Sequence, residues 1–242
     1  MKFLFNTILK IVDFFYHKKI INFFKENTNL NYTLLIDVGA HKGETIKSFL
    51  KNFKIKNIYS FEASKKTYET LSLNVNEIRK VYTETNIEIF NYGVGNSNEQ
   101  KMFNELPDSN SSTFNFIDKN SSYFKRKNKI ISFFMSDKKF INTEMISQIK
   151  LGEFIREKKI NNIDILKIDT EGYELEVLKG LGATIQNINF IYFEHHYDNM
   201  IIKNYTFSHI HDLLIKENFF RVFKIKMPLR KSFDYIYKKN TI

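Results

Sequence analysis

From residue 34 onward, short apolar runs alternate with segments whose apolar positions recur every three or four residues. Runs of this kind at 34–38, 58–61, 87–92, 163–168 and 189–194 predict buried strands, because they are too short for helices and several end in Asp, Glu or Gly. Between them, Ile46, Phe49, Leu50 and Phe53 stand at i, i+3, i+4 and i+7 and lay one apolar stripe along a helix. Tyr68, Leu71, Val75 and Ile78 mark a second helix, and 151–158, 173–181 and 207–216 mark three more. Residues 219–225 and 233–237, with Pro228 between them, read as a closing antiparallel pair. Strands and helices in alternation predict an α/β fold, doubly wound, with a mostly parallel seven-stranded sheet.

Two segments depart from this rhythm. In residues 1–27, Lys2, Asn6, Lys10, Asp13 and His17 form a polar stripe among Phe3, Phe5, Ile8, Leu9, Ile11, Val12, Phe14 and Phe15. Charge interrupts the run too often for it to span a bilayer, and no small-residue cleavage site marks a signal peptide. We read 1–30 as an N-terminal amphipathic helical extension that packs on the domain, contacts a partner copy or lies on a membrane surface. Residues 31–242 then form one domain. Within it, the polar, Asn- and Ser-rich stretch 95–145 reads as an inserted functional loop or hairpin that shapes a substrate pocket.

Chemistry-bearing residues gather where strands end. Asp37-Val-Gly39-Ala40-His41-Lys-Gly43-Glu-Thr45 follows the first strand and opens a helix. Gly39 permits a sharp turn, and Gly43 permits close approach of ligand and helix. The spacing Asp-x-Gly-x-x-x-Gly differs from the Gly-x-Gly-x-x-Gly that cradles a pyrophosphate, so this loop suits a ligand without phosphate. Glu62, 25 residues after Asp37, follows the second strand, where a carboxylate can accept both hydroxyls of a ribose. Asp169 ends an apolar strand, with Glu171, Glu174 and Glu176 just beyond it. An acid at 169 can orient an acceptor, take its proton or hold a cation, whereas Glu174 and Glu176 read as surface acids favoured at a helix start. Glu194, His195 and His196 end the next strand. Alternation sends Glu194 and His195 to opposite sides, and His195 has the pKa of a general base. No third His or Cys has the spacing for zinc, so no metal site is expected, and a divalent cation at Asp169 is the one alternative.

These residues resemble the FkbM-type S-adenosylmethionine-dependent methyltransferases from about Leu34 to Tyr197. The resemblance rests on IDVGAHKGET at 36–45, FEAS at 61–64, NYGVGN at 91–96, SST at 111–113, LKIDTEGYELEVLKG at 166–180 and FEHH at 193–196. This chain has His41 where the family often has Asn, and Ala63 where it often has Pro. The resemblance implies a class I methyltransferase fold that holds S-adenosylmethionine by Asp37, Gly39, Ala40, His41, Gly43, Thr45 and Glu62. It places the adenine near the loop containing Asn91, Gly93 and Val94. It also implies an acceptor hydroxyl on a sugar of a surface glycan, a lipid-linked glycan or a natural product. Asp169 or His195 is then the expected base, with Glu171 and Glu194 orienting their neighbours.

Composition narrows the partners. With 43% hydrophobic residues, 25 of all residues being Phe, the chain can fill a core and is no disordered protein. Having no Cys, it has no disulfide, thiolate metal site or cysteine nucleophile, and it suits a reducing compartment such as the cytoplasm. The net charge of +10 raises nucleic acid as a partner. Only five of the 37 basic residues are Arg, however, and Lys lacks the planar fork that reads phosphates and base edges. We therefore expect a small-molecule or glycan acceptor and no nucleic acid. The alternatives are an RNA or DNA methyltransferase and, from outside enzymology, a non-catalytic S-adenosylmethionine- or glycan-binding module.

Overall fold

The structure is a computed structural model, and it describes residues 2–106, 112–126, 129, 141–228 and 230–240, with side chains from residue 15 onward. Helix α1 (Lys2–Asn27) leads into β1 (Asn31–Val38), α2 (Glu44–Leu50), β2 (Lys54–Phe61), α3 (Lys65–Val81) and β3 (Asn86–Phe90). The inserted region contributes β4 (Gly93–Gly95), β5 (Glu99–Glu105), β6 (Phe116–Ile117) and β7 (Asn142–Lys150). The alternation resumes with α4 (Leu151–Glu157), β8 (Ile163–Ile168), α5 (Glu174–Leu181) and a short 3-10 turn (Gly182–Asn187). It ends with β9 (Ile188–His196), β10 (Ile201–Ile202), α6 (Phe207–Lys216), β11 (Phe219–Lys226) and β12 (Ser232–Lys239).

The main sheet has seven strands in the order β11-β12-β9-β8-β1-β2-β3. β12 runs antiparallel to both of its neighbours, and the pairs from β9 through β3 are parallel. Strands β8 and β9 are buried on both faces, which is why their sequences are nearly continuous apolar runs rather than alternating ones. Leu34, Ile36, Leu166, Ile168 and Phe193 face a core closed by Leu151, Leu178, Ile210 and Leu214 of α4, α5 and α6. Leu35, Ile165, Tyr192 and Ile236 face the opposite core, closed by Phe24, Ile46, Phe49, Leu71 and Val75 of α1, α2 and α3. Helices thus cover both faces, as the sequence pattern predicts.

Two findings go beyond that pattern. The inserted region is not a plain loop, because β5 and β7 pair antiparallel and β7 also carries β4, forming a three-stranded sheet. Its cross-strand pair Met102 and Met145 is exposed, and both strands are largely polar, so neither shows the alternation by which a half-buried strand is recognised. Pro107 and Ser111 lie outside the described residues. The second finding concerns α1, whose later half docks on the domain through Tyr16, Ile20, Ile21 and Phe24. The polar stripe from Lys2 to Asp13 lies outside the described side chains. Among the described residues no helix is long and apolar enough to cross a membrane.

Phe24 is fully buried, with ring centroids 5.7 Å from Phe49, 5.8 Å from Phe190 and 6.4 Å from Tyr192. Truncating it removes one wall of this aromatic cluster. Phe24→Ala is expected to lower the unfolding free energy by about 3–5 kcal/mol in urea titrations. A loss below about 1 kcal/mol would mean that α1 is not docked in solution.

Candidate active site

A cavity of about 510 Å³ lies beyond the carboxyl ends of β1, β2, β3, β8 and β9. That is where ligands of open parallel sheets bind, and the volume suits a small-molecule site. Its walls include Gly39, Ala40, His41, Thr45, Glu62, Gly93, Val94, Asp169, Glu171 and Glu194, so the structure brings together most residues singled out from sequence.

The turn after β1 sets the shape of this space. Gly39 has φ +83°, and a Cβ there would come within 1.9 Å of the Asp169 carbonyl oxygen. Only glycine fits so close an approach in that conformation. The crossing is secured by the Asp169 amide donating to the Val38 carbonyl at 2.9 Å. Gly43 plays a different part from the one expected. It does not line the cavity, and its φ of +89° starts α2 while its Cα faces Leu71 of α3. Two non-glycine residues on the cavity wall, His41 (φ 48°) and Glu171 (φ 50°), also hold left-handed conformations, a strain that concentrates at functional sites.

Glu62 is buried where β2 ends, and its two carboxylate oxygens accept the His41 amide at 2.8 Å and the Ser64 amide at 3.0 Å. These two donors fix the carboxylate while leaving lone pairs toward the cavity. Burial pushes its pKa up from 4.5 to about 7, against the pull of the two amides. Asn91 stays out of the cavity. Its side chain instead donates to the Glu62 and Ala63 carbonyls at 2.9 and 3.0 Å and so holds the end of β2 in place.

Asp37 is also displaced from its expected role. It points toward α1, is fully buried, and does not line the cavity. Between it and the cavity stands Lys167, whose Nζ lies 3.4 Å from Asp37 and 3.3 Å from Asp169. Burial raises the Asp37 pKa to about 6, with Lys167 opposing the rise. Burial also disfavours the Lys167 charge, but the carboxylates of Asp37 and Asp169 outweigh it and keep the ammonium protonated. Burial likewise pushes Asp169 up, but Lys167, His196 and Arg230 reverse the balance and hold its carboxyl below the ordinary range. Lys167 gave no signal of its own in the sequence beyond its place inside an apolar strand, where a charge needs a partner.

The Glu194-His195-His196 segment divides by strand parity. Glu194 lines the cavity, whereas His195 points into the opposite core, its ring 4.9 Å from Tyr197 and 5.7 Å from Phe207. Burial lowers its pKa to about 3, so it stays neutral. The structure therefore removes His195 from the candidate bases. His196 shares the side of Glu194, and its Nε2 lies 3.1 Å from Glu171 and 3.2 Å from Glu194, with Asp198 3.5 Å from Nδ1. Burial opposes the His196 charge, but these acids raise its pKa well above the ordinary value. Burial pushes Glu194 up to about 8 despite His196. Among the described residues no group of three or more His, Asp or Glu side chains is arranged to hold a metal ion.

Glu174 is a further correction. It is fully buried, accepts the Gly172 amide at 2.8 Å and the Tyr205 hydroxyl, and fixes the turn that carries Glu171. Glu176 is half-buried at the surface, 2.9 Å from Lys179, as an acid near a helix start is expected to be. Sequence reading also missed the cavity walls supplied by Tyr16, Ile20 and Ile21 of α1, and by Arg230 and Asp234 near the chain's end. Asp234 accepts the Tyr192 hydroxyl at 2.8 Å.

The shifted Glu62 carboxyl gives a pH signature. Above pH 4.5 the unfolded chain ionises at this position while the folded chain holds its proton until about pH 7, so rising pH favours unfolding across that interval. A Glu62→Gln chain lacks this contribution. Its melting temperature relative to wild type is expected to climb between about pH 4.5 and 7 and then level off. A difference that stays constant over that interval would contradict the burial of this charge.

Comparison with known proteins places this geometry. The model of the methyltransferase FkbM domain matches residues 37–222. A 51-residue stretch is 37% identical to the hexuronic acid methyltransferase AglP of Haloferax volcanii, covering 21% of each chain. The methyltransferase FkbM of Methylobacillus flagellatus superposes with a TM-score of 0.54 at 14% identity, over 85% of this chain and 44% of that one. The magnesium protoporphyrin IX methyltransferase ChlM of Synechocystis, solved with bound SAM, superposes at 0.52 with 9% identity, over 96% and 79% of the two chains. This chain thus spans about a fifth of the curated relative and under half of the FkbM structure, while those two structures share its fold. With the family model covering most of the chain and the seven-stranded order in place, this protein belongs to the FkbM methyltransferase family.

Proposed function

We propose that this protein transfers the methyl group of S-adenosylmethionine to a hydroxyl of a sugar. The observation that carries the reading is the polarity of the cavity. Tyr92 lines it where β3 ends, Lys167, Asp169 and Glu194 line it where β8 and β9 end, and Glu62 stands between them after β2. S-adenosylmethionine has the same order of parts: an aromatic base, a ribose, and an amino-acid head. The fixed Glu62 carboxylate suits the ribose hydroxyls, and the aromatic end suits the base.

When bound, that group supplies an electrophilic methyl carried on a sulfonium. The chain's own work is to position and to deprotonate. The cavity walls, roofed by α1, exclude water and hold two reactants in line, which can account for much of the rate. An acceptor hydroxyl must lose its proton as it attacks. With His195 facing away, Glu194 is the cavity carboxylate whose pKa, about 8, suits removal of a proton near neutrality. Asp169, held low, stays ionised and orients its neighbours. Glu171 and His196 surround Glu194 and can share its proton.

The stretch similar to a hexuronic acid methyltransferase supports an acidic sugar as acceptor, and Arg230 on the cavity wall is a cation suited to a carboxylate. Two measurements test the reading. Calorimetric titration with S-adenosylmethionine is expected to give saturable binding that Glu62→Ala weakens at least about tenfold. Transfer of labelled methyl to uronate-containing glycans is expected to exceed transfer to neutral glycans. With cofactor still bound, Glu194→Gln is expected to slow it about 10²–10⁴-fold. Absence of binding by folded protein would end the proposal, and transfer to RNA alone would replace the acceptor.

A further inference from the structure

Helix α1 changes sides along its length. Positions at i, i+4, i+7 and i+11 share one face of a helix. One such stripe runs through Leu4, Ile8, Ile11 and Phe15 and continues through Lys18, Asn22 and Lys25. Its later members fix where it points, because Phe15 is 58% exposed and Lys18, Asn22 and Lys25 are exposed as well. The opposite side carries Tyr16, Ile20 and Phe24, which dock on the domain. Followed back toward residue 2, that docked side meets Lys2, Asn6, Lys10 and Asp13, with Leu9 its apolar exception. Near residue 16 the apolar stripe therefore passes from the outward side of the helix to the inward side. The later half has the pattern of a helix packed on its own domain. The earlier half has its apolar stripe on the side away from the domain, about 16 Å long from Leu4 to Phe15.

An apolar stripe of this length needs cover. We propose that the first half of α1 lies on a membrane surface that carries anionic lipid, with the stripe of Leu4, Ile8, Ile11 and Phe15 on the lipid side. Charge selects this occupant. The helix holds five Lys against two acids, Asp13 and Glu26, and Lys18, Lys19 and Lys25 are exposed beyond the end of the apolar stripe. Cations that border an apolar helix face meet anionic headgroups while that face enters the acyl boundary. A second copy would instead bring its own net charge of +10 against the first. The stripe is one-sided, and Lys10 and Asp13 interrupt the run, so the helix lies on the bilayer rather than through it. Tyr16, His17, Ile20 and Ile21 of the same helix wall the cavity, so a helix seated on lipid holds the cavity at the membrane.

The test is flotation of the full chain with two kinds of vesicle, phosphatidylcholine alone and phosphatidylcholine mixed equally with phosphatidylglycerol. Wild type is expected to bind the mixed vesicles at least about tenfold more tightly than the neutral ones, and to release them as salt rises. Ile8→Asp together with Ile11→Asp is expected to weaken that binding at least about tenfold while the melting temperature stays at the wild-type value. Lys18→Glu together with Lys19→Glu is expected to remove the preference for the mixed vesicles. Wild type that binds neither vesicle, or both alike, would overturn the proposal. Binding undiminished in the isoleucine double variant would overturn it too, since charge alone would then carry the attachment. A dimer in light scattering that this variant dissolves, with no vesicle binding by wild type, would assign the stripe to a second copy instead. Should the isoleucine variant not fold, the lysine variant and the two wild-type binding curves decide.

Discussion

A parallel sheet delivers the ends of its strands to one edge, and in this protein those ends carry Asp37, Glu62, Asp169 and Glu194, with Asp234 joining from β12. So many acids in a space poor in water repel one another, and each loses hydration as it is buried. Lys167 is what makes the arrangement tenable. It is protonated under the influence of Asp37, Asp169 and Asp234 together, and it pulls downward on all three. Of these acids, Asp169 alone falls below its ordinary range, Asp37 and Asp234 still rise with burial to about 6, and Glu62 and Glu194 rise to about 7 and 8. A single ammonium thus grades the edge, from Asp169, which stays charged, to acids that can exchange protons near neutrality.

The same edge explains what could be read in the sequence and what could not. Strand and helix positions were legible because burial writes a period into the chain, and both β8 and the stripe of Ile46, Phe49 and Leu50 carry it clearly. Asp37, Glu62, Asp169 and Glu194 were legible as a group because each ends a strand. Their division of labour was not. Whether Asp37 or Lys167 meets the cavity depends on which face of the sheet α1 covers, and α1 gives no sign of where it docks. His195 and His196 differ by one position, and parity alone cannot say which face holds the ligand. Glu174 looked like a surface acid because the hydroxyl that buries it, that of Tyr205, arrives from 31 residues away. β5 and β7 were hidden for the opposite reason, since strands with polar positions on both faces carry no periodic mark.

The cavity wall also draws on residues outside the stretch that the family model matches. Tyr16 and Ile20 precede residue 37, and Arg230 and Asp234 follow residue 222. The matched part holds the carboxyl ends of the parallel strands, and the two flanking parts meet above them. Phe23 of α1 meets Phe223 of β11 with ring centroids 4.9 Å apart, joining the two flanks directly.

That meeting of distant flanks bears on the order of events during synthesis. The apolar side of α1 leaves the ribosome early, yet Phe190 and Tyr192, against which Phe24 packs, are made more than 160 residues later. At roughly 5–20 residues per second, the helix waits on the order of ten to thirty seconds with only its Phe49 side available for cover. For that interval it is a target for chaperones and for other nascent chains. The cavity acquires its roof only when the later strands arrive, so a truncated product is a folding hazard with an open site.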